Sequence, residues 1–598
     1  MKSMKNKMAI NFLLALLVVA MIAACGGGAA PAATAPQTSA AAAQTTAAAA
    51  AAATTAASAT TAAAAVTTAA TTVAVTQESA TTIVSTSNDI LPDGVEALTL
   101  PVTTEDITLT YWCDMGKAVG AVENYSDILA FQKLQELTGV KIEFLHPAVG
   151  STTEQFNLMI ASRNLPDMIQ YGWTGVPGGP GAYIRDEIII PLNEPIGKWA
   201  PNLTKYLQDN DRIRMEQEMD DGTYYVFPKI YGEVANAVSQ GPMLRNDWFP
   251  KLGIDEYPET HDDWAAMLRK AKETDLNGNG AGDAYPFFFA GKGMFDGCPM
   301  FLGSWGLRQQ FYSEGGTIRF GAIQPEYREF LALLNAWHEE GLVDPESFTG
   351  TTQIQDEKFL SDKMFSTIGS LGANITRFTA MIQPRNEDFQ LLPVAYPVLN
   401  KGDLQQEGAA SSLFNAGGVA ITTACTYVKE ATKFLDYGYS EDGHILTNWG
   451  VEGITYEVLP DGSITYTELI LNNPDGLSRE QAMAKYTSWS FQTAVIIYTD
   501  VLNQRDYLPE QLAGRAEWLR YPNARLLPPL TATIDESREE AEILNEINTY
   551  HAEMFNQFVS GKTSLDEFDK FVDTLKSMKI DRAIELKQAQ LERFEKRP

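Results

Sequence analysis

An α/β fold is expected for a globular body of about 500 residues, and three observations point to it. Ile107, Leu109 and Tyr111 alternate with polar residues, as a half-buried strand does. Leu129, Leu134 and Leu137 follow on a helix that stops at Gly139, after which Val140, Ile142 and Phe144 alternate again. Strand, helix, strand within about 40 residues makes a parallel pair joined by a crossover. Before residue 97 no such periodicity exists, so the body begins there.

Residues 1–24 read as an export signal. Lys2, Lys5 and Lys7 supply a positive start, and Met8 to Ala24 is an apolar run with Asn11 its one polar member. Ile22-Ala23-Ala24-Cys25, followed by three glycines, resembles a bacterial lipobox. That resemblance places cleavage before Cys25 and the lipid on its thiol; an uncleaved helix with an incidental cysteine is the plainer alternative. Residues 25–96 are then a tether, almost entirely Ala and Thr as far as Thr86, which cannot build a core and is expected to be disordered. About 60 such residues span roughly 40–50 Å as a random coil.

Within the body, Asp167 to Tyr171 reads as a third short strand, ending at Gly172 and Trp173. Ligands in open α/β sheets sit outside such strand ends, which makes Trp173 a cleft candidate. Thr260 is an N-cap with Asp263 three residues on, before an apolar face of Trp264, Met267, Leu268 and Ala271. Near the C-terminus, Leu544, Ile547, Met554, Phe555 and Phe558 form a helical stripe ended at Gly561. Ser564 and Glu567 predict a second capping box before Phe568, Phe571, Val572 and Leu575. These stripes, with Trp264 and Trp337, are expected to be core.

Asp275 to Asp283 reads D-L-N-G-N-G-A-G-D. Side-chain oxygens fall at Asp275, Asn277, Asn279 and Asp283, and the glycines between them permit sharp turns. Oxygens at positions 1, 3 and 5 with Gly at 6 open a calcium loop, with the Ala281 carbonyl at position 7. A Gly/Asn-rich turn bonded to its own backbone fits the same spacing. Position 12, where an EF-hand places a bidentate Glu, is Pro286, so any calcium loop here lies outside an EF-hand.

Composition narrows the function. A net charge of −31 argues against nucleic acid, whose phosphates need a basic face. The five histidines are far apart, and H-E-x-x-H, C-x-x-C, G-x-S-x-G and G-x-x-x-x-G-K are absent from the sequence. Beyond Cys25, an odd three cysteines (Cys113, Cys298 and Cys425) leave pairing open, with three buried thiols the simpler expectation.

Several runs carry a family resemblance. L-R-N-D-W-F-P-K-L-G-I (Leu244 to Ile254) and P-E-T-H-D-D-W-A-A-M-L-R-K-A (Pro258 to Ala271) lead into the loop above. Phe359 to Gly372, Phe434 to Val458 and F-V-S-G-K-T-S-L-D-E-F-D-K-F-V-D-T-L-K-S-M (Phe558 to Met578) follow, with Ile188 to Leu203 and Asp221 to Ile230 upstream. Together they resemble lipoprotein solute-binding proteins of carbohydrate ABC importers, a group that includes alginate-oligosaccharide binding proteins. The resemblance covers about residues 97–598.

It implies a two-lobed periplasmic-binding-protein-like fold of type II, two α/β lobes joined by a hinge. Lobe 1 would comprise about 97–230 and 395–440, and lobe 2 about 231–394 and 441–598. It further implies a structural calcium in the 275–283 loop, an oligosaccharide held between the lobes, and an ABC-transporter permease as partner. The protein would be a monomer that does no catalysis, lipid-anchored through Cys25 at the outer face of the cytoplasmic membrane. Trp449 stands where Tyr is usual, Thr455 where His is usual, and Ala284 where a Glu often completes the metal shell. Two carboxylates then remain on the loop, and calcium binding of roughly 0.1–1 mM is expected.

Sugar rings stack C–H faces on aromatics while their hydroxyls need polar partners. Trp173, Trp305 in M-F-L-G-S-W-G, and Trp449 are therefore candidate platforms, with Asn246, Glu452, Lys363 and Ser370 as candidate polar partners. Two other classes remain open: a sugar-sensing or adhesive surface lipoprotein uncoupled from transport, and a secreted polysaccharide-active enzyme, which would need two positioned carboxylates.

Overall fold

A computed structural model describes residues 83–84 and 94–597, apart from 281, 291–298, 489–493 and 506–507. The export signal, Cys25, most of the tether, Ala281 and Cys298 lie outside the described residues. Residues 79–598 form one compact unit. Among the described residues no helix is long and apolar enough to cross a membrane.

The first sheet has six strands: β1 (Thr108–Trp112), β2 (Lys141–Leu145), β3 (Met168–Gly172), β4 (Phe227–Tyr231), β9 (Phe414–Ile421) and β10 (Val495–Ile497). Their order is β2-β1-β3-β9-β4-β10. Leu109 and Tyr111 are fully buried beside exposed Thr108, so the expected alternation is realised. Helix α1 (Leu129–Thr138) joins β1 to the parallel β2, with Tyr111 opposite Phe144. It ends at Gly139 for two reasons. The φ there is 72°, and a Cβ would lie 2.2 Å from the Thr103 carbonyl oxygen. Helices α2 (Gly179–Arg185) and α3 (Asp211–Gln217) follow between β3 and β4.

The second sheet has β5 (Gln240–Arg245), β6 (Tyr285–Phe288), β7 (Met364–Ser370) and β8 (Leu391–Pro393) in the order β8-β5-β7-β6. Around it stand α4 (His261–Glu273), α5 (Pro325–Glu339), α6 (Thr352–Leu360), α8 (Pro509–Trp518), α9 (Ile534–Val559), α10 (Phe568–Ser577) and α11 (Ile580–Phe594). The α4 capping box forms: the Asp263 N–H donates to Thr260 Oγ1 at 3.1 Å and the Thr260 N–H to Asp263 Oδ2 at 3.0 Å. The box before α10 does not form as expected. Ser564 instead accepts the Asp566 N–H and caps a short 3-10 turn over Leu565–Glu567. Trp264, Trp337, Ile547, Phe555 and Phe558 are core, while Leu544 and Met554 are partly buried against it.

The lobe boundary differs from expectation. Residues 441–488 and 494–497 belong with lobe 1, because β10 pairs with β4 (Ile496 opposite Ile230). Leu446 on α7 (Glu441–Asn448), Ala484 and Ala494 pack into the first core, and Trp449, Tyr466 and Met483 make a satellite core. This stretch is short helices and a hairpin without a long stripe, so periodicity could not say which core it joins.

Among the described residues, three stretches cross between the lobes in order: 232–239, 394–413 and the one that follows β10 and leads to α8. The second is fastened to lobe 2. Tyr396 stacks on Tyr521 at 4.4 Å, and its hydroxyl donates to the Gln240 carbonyl at 2.7 Å. A Cβ on Gly241 would lie 2.2 Å from the Trp518 ring, so glycine is required where the strand passes under it.

Candidate functional site

Strand direction locates the site. In lobe 1, β1, β2, β3, β4 and β10 all run one way and β9 runs against them. Their carboxyl ends, at Cys113, His146, Trp173, Gly232 and Tyr498, therefore share one edge with the start of β9. In lobe 2, β6, β7 and β8 run together and β5 against them, so Phe289, Leu371 and the start of β5 share an edge. The crossings leave β4 and β10 at the first edge, enter β5 at the second, and run from the end of β8 to the start of β9. The two carboxyl edges therefore face one another across the hinge, where open α/β sheets take ligands.

On the lobe 1 edge an acid is held in place by side chains from distant parts of the chain. Asp500 Oδ2 accepts from Trp449 Nε1 at 3.3 Å and sits 3.5 Å from His444 Nε2, while Oδ1 accepts the Val501 N–H at 2.8 Å. Tyr498 packs edge-on against His444 at 4.8 Å. Burial pushes the Asp500 carboxyl upward, but the bonds from His444 and Trp449 outweigh it and hold it below the usual range. Its side chain is still 48% exposed, so it remains open to a solute. Tyr231, half-buried at the end of β4, lies on the same edge. Toward lobe 2, Asp356 midway along α6 pairs with Arg377 at 2.8 Å, and burial raises its carboxyl pKa.

The residues expected to meet the solute fall into several places. Trp173 follows β3 at the right edge, yet it is fully buried, donating to the Gly418 carbonyl at 3.2 Å between Phe156 and Tyr183. Trp449 is 1% exposed, packed against Tyr466 at 4.8 Å. Both are corrected from platform to core, and Trp449 reaches the site only through Asp500. Thr455, the other departure from the family pattern, is buried and donates to the Trp449 carbonyl at 2.7 Å.

Asn246 lies past the far end of β5, bonded to Gln390 at 2.7 Å and Tyr257 at 2.7 Å, so it is removed from the cleft edge. Lys363 is corrected likewise: it precedes β7 and sits 3.4 Å from Asp283. Ser370 does end β7 at the cleft edge, where its hydroxyl accepts the Ala373 N–H at 3.2 Å. Trp305 is partly buried in lobe 2, stacked on His261 at 4.8 Å with Nε1 donating to Glu329 at 2.9 Å. Glu452 lies exposed in the turn after α7, bridged to Tyr456.

The 275–283 loop stands at the opposite end of lobe 2 from the cleft. Asp275 accepts the N–H groups of Asn279 at 3.1 Å and Gly280 at 2.8 Å, which curls the loop. Gly278, Gly280 and Gly282 all take positive φ. The amides of Asn277 and Asn279 both reach Asp283 Oδ1 at 2.9 Å, and these bonds, with Lys363, hold that carboxyl down to about 2. Turning each amide over presents its oxygen to the same point, so the donor set fits a hard cation. No group of three or more His, Cys, Asp or Glu placed for a metal occurs among the described residues, so the loop rests on two carboxylates and two amides. Cys113 and Cys425 are free, buried thiols, with Cys425 pushed up to about 12 by burial.

Two lobes with facing strand ends define a solute-binding architecture. The chain belongs to the bacterial extracellular solute-binding protein family, whose model matches residues 123–445. Among curated relatives, the fructooligosaccharide ABC transporter substrate-binding protein FusA of Streptococcus pneumoniae is 28% identical over 348 residues. That match covers 54% of this chain and 60% of FusA. Lipoprotein LipO of Bacillus subtilis is 24% identical, over 60% of this chain and 69% of its own length. Among solved structures, alginate-binding protein AlgQ2 without calcium ion and FusA in complex with kestose share the fold. Their TM-scores are 0.67 and 0.66 at 22% identity, each over 82% of this chain and 99% of theirs.

Proposed function

We propose that this protein captures an oligosaccharide between its lobes and delivers it to an ABC-transporter permease. It would do so from a lipid-anchored position, through Cys25, at the outer face of the cytoplasmic membrane. The observation that carries the reading is Asp500, an exposed carboxylate on an edge facing the other lobe, oriented by His444 and Trp449. A carboxylate so held accepts sugar hydroxyls directionally, and hydrogen bonds to charged groups are the stronger kind. The rings of Tyr498 and Tyr231 offer apolar faces beside it. Asp356 and Arg377 would complete the grip from lobe 2, and a solute touching both lobes favours the closed arrangement. FusA, named for fructooligosaccharide, supports the ligand class, and LipO supports the lipid anchor.

Calcium, if bound, would be held by Asp275, Asn277, Asn279 and Asp283. It would fasten the start of β6 to the start of β7, since Asn277 also bonds the Asp362 carbonyl at 3.1 Å. Its role is structural.

Titration calorimetry with a panel of fructo-, gluco- and uronic oligosaccharides tests capture. At least one should bind, with a tenfold or greater loss in Asp500→Ala. Recovery of cleaved products from the same incubations would favour the enzyme reading instead. Cys25→Ser should release the protein to the medium or leave it unprocessed.

A further inference from the structure

Helix α9 belongs to both lobes. Its C-terminal part, from Ile543 to Val559, lies in the lobe 2 core. Its first turns reach lobe 1, where the Gly178 N–H donates to Ser537 Oγ at 2.9 Å. Beside them the end of α11 reaches lobe 1 as well. Arg593 places Nε 2.5 Å from Asp220 Oδ2 and both terminal nitrogens on Glu536 of α9. Arg597 donates to Asp220 Oδ1 and to the Met215 carbonyl, each at 2.6 Å, and also to Thr531. The Phe594 ring meets the guanidinium groups of Arg597, at 4.9 Å, and Arg212 of α3, at 5.2 Å.

Asp220 is therefore a lobe 1 anion gripped by two cations of lobe 2. Its side chain is 20% exposed and that of Arg597 2%, so solvent and salt screen the cluster little. Apart from the Gly178–Ser537 bond, the contact is open alongside. Pockets of about 460 and 210 Å³, half-open to solvent, lie between α9 and α2 with the turn before it, the larger lined by Tyr183, Arg185, Arg538 and Glu542. A joint that is tight at one charged point and open alongside can turn about that point, because packed interfaces resist sliding and empty ones do not.

We infer that Asp220, with Arg593 and Arg597, is the positioning pivot about which the lobes turn when the cleft opens and closes. This deepens the capture reading, since closure is what capture requires. The grip sets how narrowly the ligand-free lobes are distributed, while the neighbouring cavities change volume as they turn.

The test is single-molecule energy transfer in the full chain, with dyes on azido amino acids at the exposed positions Val149 in lobe 1 and Leu512 in lobe 2. Without any sugar, Asp220→Asn should at least double the width of the inter-lobe distance distribution. Asp220→Glu should narrow it again, and Arg593→Gln, which leaves Arg597 on Asp220, should give an intermediate width. A part that merely stabilised the fold would lower the melting temperature of these variants with no change in width, and that result overturns the pivot. If Asp220→Asn does not fold, Arg593→Gln decides alone by the same criterion. Since no ligand enters the measurement, a failure to find a binding sugar counts against capture and leaves this outcome intact.

Discussion

The 275–283 loop and the Asp500 edge both fix a carboxylate, and they do it by opposite means. In the loop, Asp283 is held by amides four and six residues away, beyond the far end of the lobe 2 sheet. At the edge, Asp500 is held by Trp449 and His444, more than fifty residues back, on the side of the sheet where the strands' carboxyl ends lie. A locally closed loop curls its acids inward around one point and suits an ion. An acid braced from behind presents its free lone pairs outward and suits a solute that comes and goes. The first should matter to stability, the second to affinity.

The largest effect expected tests where the core ends and the site begins. Trp173→Ala should lose about 3–5 kcal/mol of stability through the cavity it leaves. Loss of sugar affinity with an unchanged melting temperature would return Trp173 to the cleft. Asp500→Ala should weaken sugar binding by about 1.5–3 kcal/mol, roughly ten- to a hundredfold, while the melting curve moves little.

Removing the calcium proposed for the 275–283 loop should do the reverse. With a dissociation constant near 0.1–1 mM, a tenfold excess of free ion adds about 1.4 kcal/mol of stability, and chelator or Asp275→Ala should remove it. Affinity for sugar should stay within about twofold, read by calorimetry with and without chelator.

A smaller, graded effect concerns acid. Burial holds His261 and His551 down to about 4 in the folded state, against 6.5 when unfolded. The unfolded chain thus takes up protons first, and stability present above pH 6.5 should drain away as pH falls toward 4. Melting temperature followed across that range should decline, and His551→Gln should make the decline shallower. Binding that depends on Asp500, whose carboxyl is held low, should persist through the upper part of the same window.

What could be read from the sequence follows the same division. The β1-α1-β2 unit, the α4 cap and the α9 stripe were legible because their signals repeat within a few residues. Trp173 and Trp449 were not, since an aromatic ring after a strand or helix reads alike whether it points outward or into a core. Lys363 and Ser370 were both expected at the cleft, yet they flank opposite ends of a seven-residue strand. At 3.3 Å per residue that sets them about 23 Å apart. Asp500 carries no local sequence signal, because its partners are neighbours only after β10 has joined the first sheet. The two departures from the family pattern, Trp449 and Thr455, were legible as changes but not as parts of a support behind Asp500.

The 26 residues of α9 also set a mechanical ratio. At 1.5 Å of rise per residue the helix is about 39 Å long. Turning as a rigid rod about its Asp220 end, it would carry its Val559 end about 0.7 Å for each degree of rotation, from that same rise. Ten degrees at the joint then become roughly 7 Å of travel at the far tip, on the same arithmetic. Angular play too slight to notice where the arginines hold Asp220 is thus amplified across lobe 2, and the tightness of one small cluster governs the reach of the whole lobe.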